Sequence, residues 1–74
     1  MDIKDEELYY YHEIKKEFET EEYNELVDIL FHYMEAYVNG WWMDAGLFQD
    51  ECENLIGIRK HEDMIEIIKQ YTGR

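Results

Sequence analysis

Proline is absent from this chain of 74 residues, and cysteine occurs only once, as Cys52. A lone cysteine excludes a disulfide within the chain and a zinc site built from several thiolates. It is also typical of proteins in a reducing, intracellular compartment. No apolar run approaches the roughly 18 residues that a membrane-spanning helix needs, and the acidic N-terminal residues do not resemble a signal peptide. We therefore expect a soluble cytoplasmic protein.

Basic residues are few and unevenly placed. The chain has seven Lys and Arg against nineteen Asp and Glu, which gives a formal net charge of −12. All seven basic residues lie outside positions 17–58, a stretch that contains eleven acidic side chains. A small soluble domain usually carries a net charge of magnitude about 2–8. Because this acidic excess repels nucleic acid and anionic membranes, the expected partner is a Lys- and Arg-rich protein surface.

Sequence motifs of catalysis and cofactor binding are missing as well. There is no nucleophile elbow, P-loop or dinucleotide-binding fingerprint. His12-Glu13 lacks the second histidine of a zinc-protease motif, because position 16 is lysine. His32 has acidic neighbours but no second histidine nearby, which favours a solvated histidine paired with carboxylates over a metal ligand. We expect no enzymatic activity, no metal and no cofactor.

Apolar residues are abundant enough for a folded core, at 46% of the chain with 16% aromatic. A chain of this length forms one small domain at most, covering residues 1–74. The apolar residues recur at helical spacing and do not alternate as in strands. The pattern predicts an all-α fold, a compact bundle or orthogonal array of four helices at about 4–19, 21–38, 44–56 and 59–71.

Local signals predict the helix ends and faces. Thr20 is the expected N-cap of the second helix, and Asn39-Gly40 is its expected C-terminal stop. Asp44 is the expected cap of the third helix, and His61 is expected to pack near the start of the fourth. On the first helix the shared apolar face comprises Ile3, Tyr10, Ile14 and Phe18. On the third helix the inner face comprises Ala45, Phe48, Cys52, Leu55 and Ile56.

The acidic side chains of the middle stretch fall on two helix faces. Those on the second helix form one stripe by the i, i+3, i+4 rule, and they are Glu21, Glu25, Asp28 and Glu35, with His32 among them. Those on the outer face of the third helix are Asp50, Glu51 and Glu53. Two interpretations stay open. The stripe either imitates a phosphate backbone and docks on a basic groove, or it is a solvated surface without a specific partner.

Trp41 and Trp42 are adjacent, so they diverge by about 100° on a helix and cannot face the same core. We expect Trp41 to be a core anchor against Phe48 and Leu55. Trp42 is then at least partly exposed, beside acids, which is typical of a binding hot spot. The alternative is that Trp42 packs on the N-terminal helix or at a homodimer seam.

The chain is small, lacks proline, is rich in Tyr and Glu and has a strongly acidic face. In these features it resembles phage-encoded inhibitors that occupy nucleic-acid grooves, among them anti-CRISPR proteins. The tract Asn39-Gly40-Trp41, with acids downstream, is similar to a stretch in one family of CRISPR nuclease inhibitors. That family has a mixed α/β pattern, which the helical pattern here does not share, so none of its functional residues is transferred. The resemblance implies a DNA-mimic inhibitor acting in the host cytoplasm.

The leading hypothesis is a non-enzymatic inhibitor that binds a basic surface of a nucleic-acid-binding protein, such as a nuclease, without contacting nucleic acid or membrane. The residues predicted to bind the partner are Glu21, Glu25, Asp28, Glu35, Trp42, Asp50, Glu51 and Glu53. The alternative is a homodimeric helical interaction module of a regulatory complex, in which Trp42 and Tyr37 form the seam and the acids only interact with solvent.

Overall fold

The computed structural model describes residues 4–73, so Ile3 lies outside the described residues. Within them the chain forms helices only, which confirms the all-α prediction. The four helices are α1 (Asp5–Thr20), α2 (Glu25–Asn39), α3 (Trp42–Ile56) and α4 (His61–Thr72). Their Cα radius of gyration is 11.2 Å, and the principal extents are 32, 27 and 18 Å. No described helix combines the length and the apolar character needed to cross a membrane.

Helix α2 is the centre of the fold, because it contacts each of the other three described helices. Helices α1 and α3 both pack along α2, whereas α4 packs mainly on α1 and touches α2 at fewer positions. Among the described residues, α3 makes no packing contact with α4. The residues that α2 buries are Val27, Ile29, Leu30, Phe31, Tyr33, Met34 and Ala36. A helix buried on most of its circumference needs neighbours on several sides, and α1, α3 and α4 supply them.

The start of α2 differs from the prediction. Thr20 is the last residue of α1, where its hydroxyl donates to the Lys16 carbonyl at 2.9 Å. Asn24 is the N-cap instead, since its backbone is extended and its side-chain oxygen accepts from the amides of Leu26 and Val27 at 3.0 and 3.2 Å. Asparagine caps at least as well as threonine, and here it satisfies two free amide donors. Glu21 therefore lies in the α1–α2 connection and not on the α2 stripe.

The start of α3 also differs. Gly40 ends α2 in the left-handed conformation, at φ 74°, and its N–H donates to the carbonyls of Ala36 and Tyr37. This C-cap confirms the predicted stop, since glycine adopts positive φ without a Cβ clash. The chain then turns at once into α3, whose first residue is Trp42. Asp44 lies inside the first turn of α3, so it is not the N-cap that the sequence predicts. Its carboxylate there interacts favourably with the positive end of the helix dipole.

The core lies between α2 and the inner faces of the other helices. Its most deeply buried side chains are Ile14, Leu30, Met34, Cys52, Met64 and Ile68. Helix α3 contributes only buried Ala45 and Cys52 with half-buried Phe48. Leu55 and Ile56 remain exposed, so their predicted place on the inner face is wrong. Because α2 is the one described helix on which α3 packs, α3 buries a narrower face than the sequence pattern predicts.

Candidate partner-binding surface

His32, which belongs to the predicted stripe of α2, lies between α1 and α3. Its ring lies 5.6 Å from Phe18 of α1 and 5.5 Å from Phe48 of α3, between ring centroids. Its Nδ1 donates to the Asp28 carbonyl at 2.7 Å and lies 3.2 Å from the Asp28 carboxylate. His32 is thus paired with an acid, as predicted, but it also packs among aromatic rings and is only half exposed.

Two of the predicted partner-binding residues, Asp50 and Glu53, form ion pairs with Arg59 of the same chain. The Arg59 guanidinium, just before α4, donates to Asp50 at 2.5 Å and to Glu53 at 3.2 Å. These acids raise the pKa of Arg59 by accepting its hydrogen bonds. Exposed ion pairs of this kind contribute little to the stability of a fold, because solvent and salt screen them. A partner's cation can therefore compete with Arg59 for Asp50 and Glu53 at small cost.

Several acids of the middle stretch have no ion-pair partner within the described part of the chain. These are Glu17, Glu19, Glu21, Glu22, Glu25, Glu35, Asp44 and Glu51. Glu25 and Glu51 line the same shallow groove of about 280 Å³ between α2 and α3, together with Ile29, Asn54 and Leu55. The structure thus brings together one predicted acid from each of the two helices, while Glu35 lies farther along α2.

Both tryptophans are exposed, and neither is a core anchor. Trp42 is 54% exposed, and the edge of its ring packs on Tyr37 at a centroid distance of 5.7 Å. Trp41 is 50% exposed, so the prediction that it anchors the core against Phe48 and Leu55 is wrong. Because α3 begins at Trp42, Trp41 takes the N-cap position, and the first inward position goes to Ala45.

Two further apolar side chains, Met43 and Leu47, are exposed, and the sequence pattern was not interpreted as predicting this. Met43 is 86% exposed and Leu47 is 60% exposed, one turn apart on the outer side of α3. Their i, i+4 spacing, opposite Ala45 and Cys52, was the signal that would have identified them. With the two tryptophans they give the first two turns of α3 an apolar exterior.

A polar cluster at the other side of α2 connects three helices. His61 Nε2 donates to Glu7 of α1 at 2.7 Å, and the Tyr37 hydroxyl donates to the same oxygen at 3.0 Å. His61 Nδ1 lies 2.7 Å from the Tyr33 hydroxyl, which donates to it when the imidazole is neutral. The Tyr37 ring stacks on His61 at 4.4 Å. We call Glu7, Tyr33, Tyr37 and His61 the Glu7–His61 cluster.

Burial and hydrogen bonding set the ionisation of this cluster. Burial by itself raises the pKa of Glu7, but hydrogen bonds from His61, Tyr37 and the Lys4 amide outweigh it and hold the pKa below its usual value. Burial raises the pKa of Tyr33 well above its ordinary range, and burial with the Glu7 contact raises that of Tyr37. Glu7 is therefore a carboxylate at neutral pH, and the tyrosines remain neutral donors.

The predicted surface is thus only partly assembled in the way the sequence indicates. The structure combines Glu25 with Glu51, pairs Asp50 and Glu53 internally, and adds an exposed apolar segment at the start of α3. A comparison with known protein families, curated proteins and solved structures finds no match to this chain.

Proposed function

We propose that this chain is a non-enzymatic protein that binds a basic surface of a partner protein through the side formed by α2 and α3. The observation that carries the proposal is the lack of charge compensation in residues 17–58. Among the described residues, the cationic or protonatable partners of this stretch are Arg59 and His32, which engage only Asp50, Glu53 and Asp28.

The C-terminal end of α1 supports this proposal. Its last turn carries Glu17 and Glu19 and no basic residue. Helix C-termini favour cations by about 0.3–1 kcal/mol for each charge, so acids there are unfavourable. Glu21 and Glu22 follow directly and add like charges. A cationic partner would relieve this repulsion, which gives the interaction a source of free energy beyond simple ion pairing.

The overall charge fits a mimic of duplex DNA. A duplex carries about one negative charge per 1.7 Å, so the 32 Å long axis of this protein corresponds to roughly 19 phosphates. The formal charge of −12 is about two-thirds of that value. We therefore propose that the partner is a nucleic-acid-binding protein, such as a nuclease, and that binding inhibits it by occupying its nucleic-acid groove.

The resemblance to phage-encoded inhibitors suggests which nuclease the partner is and where the chain acts. In that setting the chain acts in the cytoplasm of the infected host and blocks a defence nuclease of the CRISPR type. Because no family or curated protein matches the chain, this part of the proposal is tested by identifying the partner experimentally.

Affinity capture from a lysate, washed at 50 and 500 mM salt, tests the proposed function. Binding driven by charge is strong at the lower salt and lost at the higher, because mobile ions screen exposed charges. The captured protein is then identified by mass spectrometry and tested for inhibition. A partner retained equally at both salt concentrations would contradict the proposal, and so would failure to capture any basic protein.

Two variants with equal charge change make the test specific. The first replaces Glu25, Glu35 and Glu51 by Gln. The matched control replaces Asp5 by Asn, Glu62 by Gln and Asp63 by Asn, all exposed and outside the middle stretch. We expect the first variant to lose capture and inhibition and the control to keep both. Equal loss in both variants would show that net charge, and not this surface, attracts the partner.

A homodimeric module is the second candidate function, and the exposed apolar start of α3 is the observation that favours it. Against it, two copies bring together a formal charge of −12 each. Light scattering of wild type and Trp42→Ala over a range of concentrations separates the two candidates. A dimer that Trp42→Ala disrupts would support the homodimer, whereas a monomer that still binds a basic partner supports the first proposal.

A further inference from the structure

Among the described helices, α2 is the one on which helix α3 packs, and Arg59 of the following connection pairs with Asp50 and Glu53 on a second side of α3. One row of its side chains, four residues apart, is exposed along the helix and approaches the α2–α3 groove toward the C-terminal end. We call this row the α3 ridge, and its members are Met43, Leu47, Glu51 and Leu55, all exposed. Its length is about 18 Å at 1.5 Å per residue.

The α3 ridge and the two tryptophans beside its start expose large apolar side chains. Met43 and Leu47 are largely exposed, and Trp41 and Trp42 lie half exposed in the same part of the helix. Together they present on the order of 500 Å² of apolar surface. The largest apolar patch of a typical monomer is about 300–600 Å² and is often functional. This patch belongs to a protein of only 74 residues, in which apolar surface is needed for the core.

Charge identifies the occupant. Glu51 interrupts the apolar ridge, and Glu25 of α2 lines the same groove beside it, over Ile29 and Leu55. Neither carboxylate forms an ion pair within the described part of the chain. A second copy of this chain carries a further formal charge of −12, so it would approach this groove against net electrostatic repulsion. A Lys or Arg side chain from a different protein would pair with both carboxylates.

We propose that the α3 ridge binds an amphipathic helix of the partner protein, with one Arg or Lys in the middle of its apolar face. The apolar side chains of that helix pack on Met43, Leu47 and Leu55, and the cation lies in the groove between Glu25 and Glu51. This is the helix-in-groove mode, with anchors spaced at i, i+4 and i+7. The inference rests on the proposed function, and it specifies which part of a basic partner makes the contact.

Synthetic helical peptides test this inference without knowledge of the partner. The first peptide has 18 residues, a Leu face with one central Arg, and Lys on its outer side. The second has the same composition in an order that destroys the apolar face. The third is the first with its central Arg replaced by Ala. Binding to the full chain is measured from the fluorescence anisotropy of labelled peptide. We expect the first peptide to bind at least tenfold more tightly than either of the others.

Variants of the ridge locate the contact. Met43→Gln with Leu47→Gln preserves helix propensity and changes only exposed side chains, so the far-ultraviolet circular dichroism should not change. This double variant should weaken binding of the first peptide at least tenfold and leave the second within twofold. Glu25→Gln with Glu51→Gln should remove the advantage of the first peptide over the third. Leu8→Gln, on exposed α1 surface, is the control and should change nothing.

The outcomes separate this inference from the proposed function. If the first two peptides bind equally well, the amphipathic-helix inference fails, but binding of a basic partner stands. If neither cationic peptide binds, both fail. A dimer of the wild-type chain that Leu47→Gln dissociates would make a second copy the occupant and overturn the inference.

Discussion

Replacing Glu7 by Gln tests whether the Glu7–His61 cluster holds α1, α2 and α4 together through a partly buried charge. The Glu7 side chain is 13% exposed, and one of its oxygens accepts from both His61 and Tyr37. Gln has the same size and still offers an oxygen acceptor. The substitution therefore removes the charge and leaves no cavity.

The expected magnitude follows from the two hydrogen bonds. A hydrogen bond to a charged group contributes about 1.5–3 kcal/mol and a neutral one about 0.5–1.5 kcal/mol. Converting two bonds from charged to neutral should lower the free energy of unfolding by about 2 kcal/mol at pH 7. For a domain of this size, that corresponds to a fall in Tm of roughly 10 °C.

The pH dependence gives the prediction its sign. The pKa of Glu7 is lower in the folded chain than its ordinary value of 4.5. Its stabilisation is therefore fully present above about pH 4.5 and is lost as the pH falls through the folded pKa. The difference in stability between wild type and Glu7→Gln should be largest at pH 7 and should shrink toward zero below that pKa.

Urea unfolding followed by circular dichroism at a series of pH values measures this difference. The matched control is Glu6→Gln, because Glu6 lies in the same first turn of α1 but is exposed and without an ion pair in the described part of the chain. Its effect should stay within about 0.5 kcal/mol. A Glu7→Gln effect that is equal at pH 7 and pH 3, or no larger than that of Glu6→Gln, would refute the charged-cluster argument.

Three other predictions concern folding. Asn24→Ala should lower the free energy of unfolding by about 1 kcal/mol in urea titrations, because Asn24 caps α2; an equal loss from Thr20→Ala would contradict this assignment. Met34→Ala should cost about 2–5 kcal/mol, since Met34 is fully buried, whereas exposed Met43→Ala should cost less than about 0.5 kcal/mol in the same assay. Cys52 is buried, and burial raises the pKa of its thiol, so a thiol reagent at pH 8 should label it only after unfolding in urea; fast labelling of the native chain would contradict its burial.

Much of the fold follows from periodicity. Ile14, Ala45 and Cys52 lie on the apolar faces that helical spacing predicts, and all three are buried. Helical spacing is decisive here because a helix brings residues three and four apart to one face whatever it packs against. The helix ends were less predictable, since Thr20 and Asn24 are both good caps and only one of them satisfies the free amides of α2.

The candidate site was predictable in composition but not in arrangement. The acids of residues 17–58 are visible in the chain, but pairing of Asp50 and Glu53 with Arg59 depends on how the chain turns after α3. The exposure of Trp41 was mispredicted for a similar reason. Whether it faces the core depends on where α3 begins, and a start two residues earlier than expected turns the inner face toward Ala45.

The sequence by itself determined the helical class, the four apolar faces and the uncompensated negative charge, because these depend on residue type and on spacing within one helix. Tertiary structure alone decided which helices touch, and hence that α3 packs on α2 and on no other described helix and keeps an apolar ridge exposed. It also decided that His61 meets Glu7 and Tyr33, which lie 54 and 28 residues away in the chain. Such contacts arise from packing between helices, and no local pattern encodes the distance between residues so far apart.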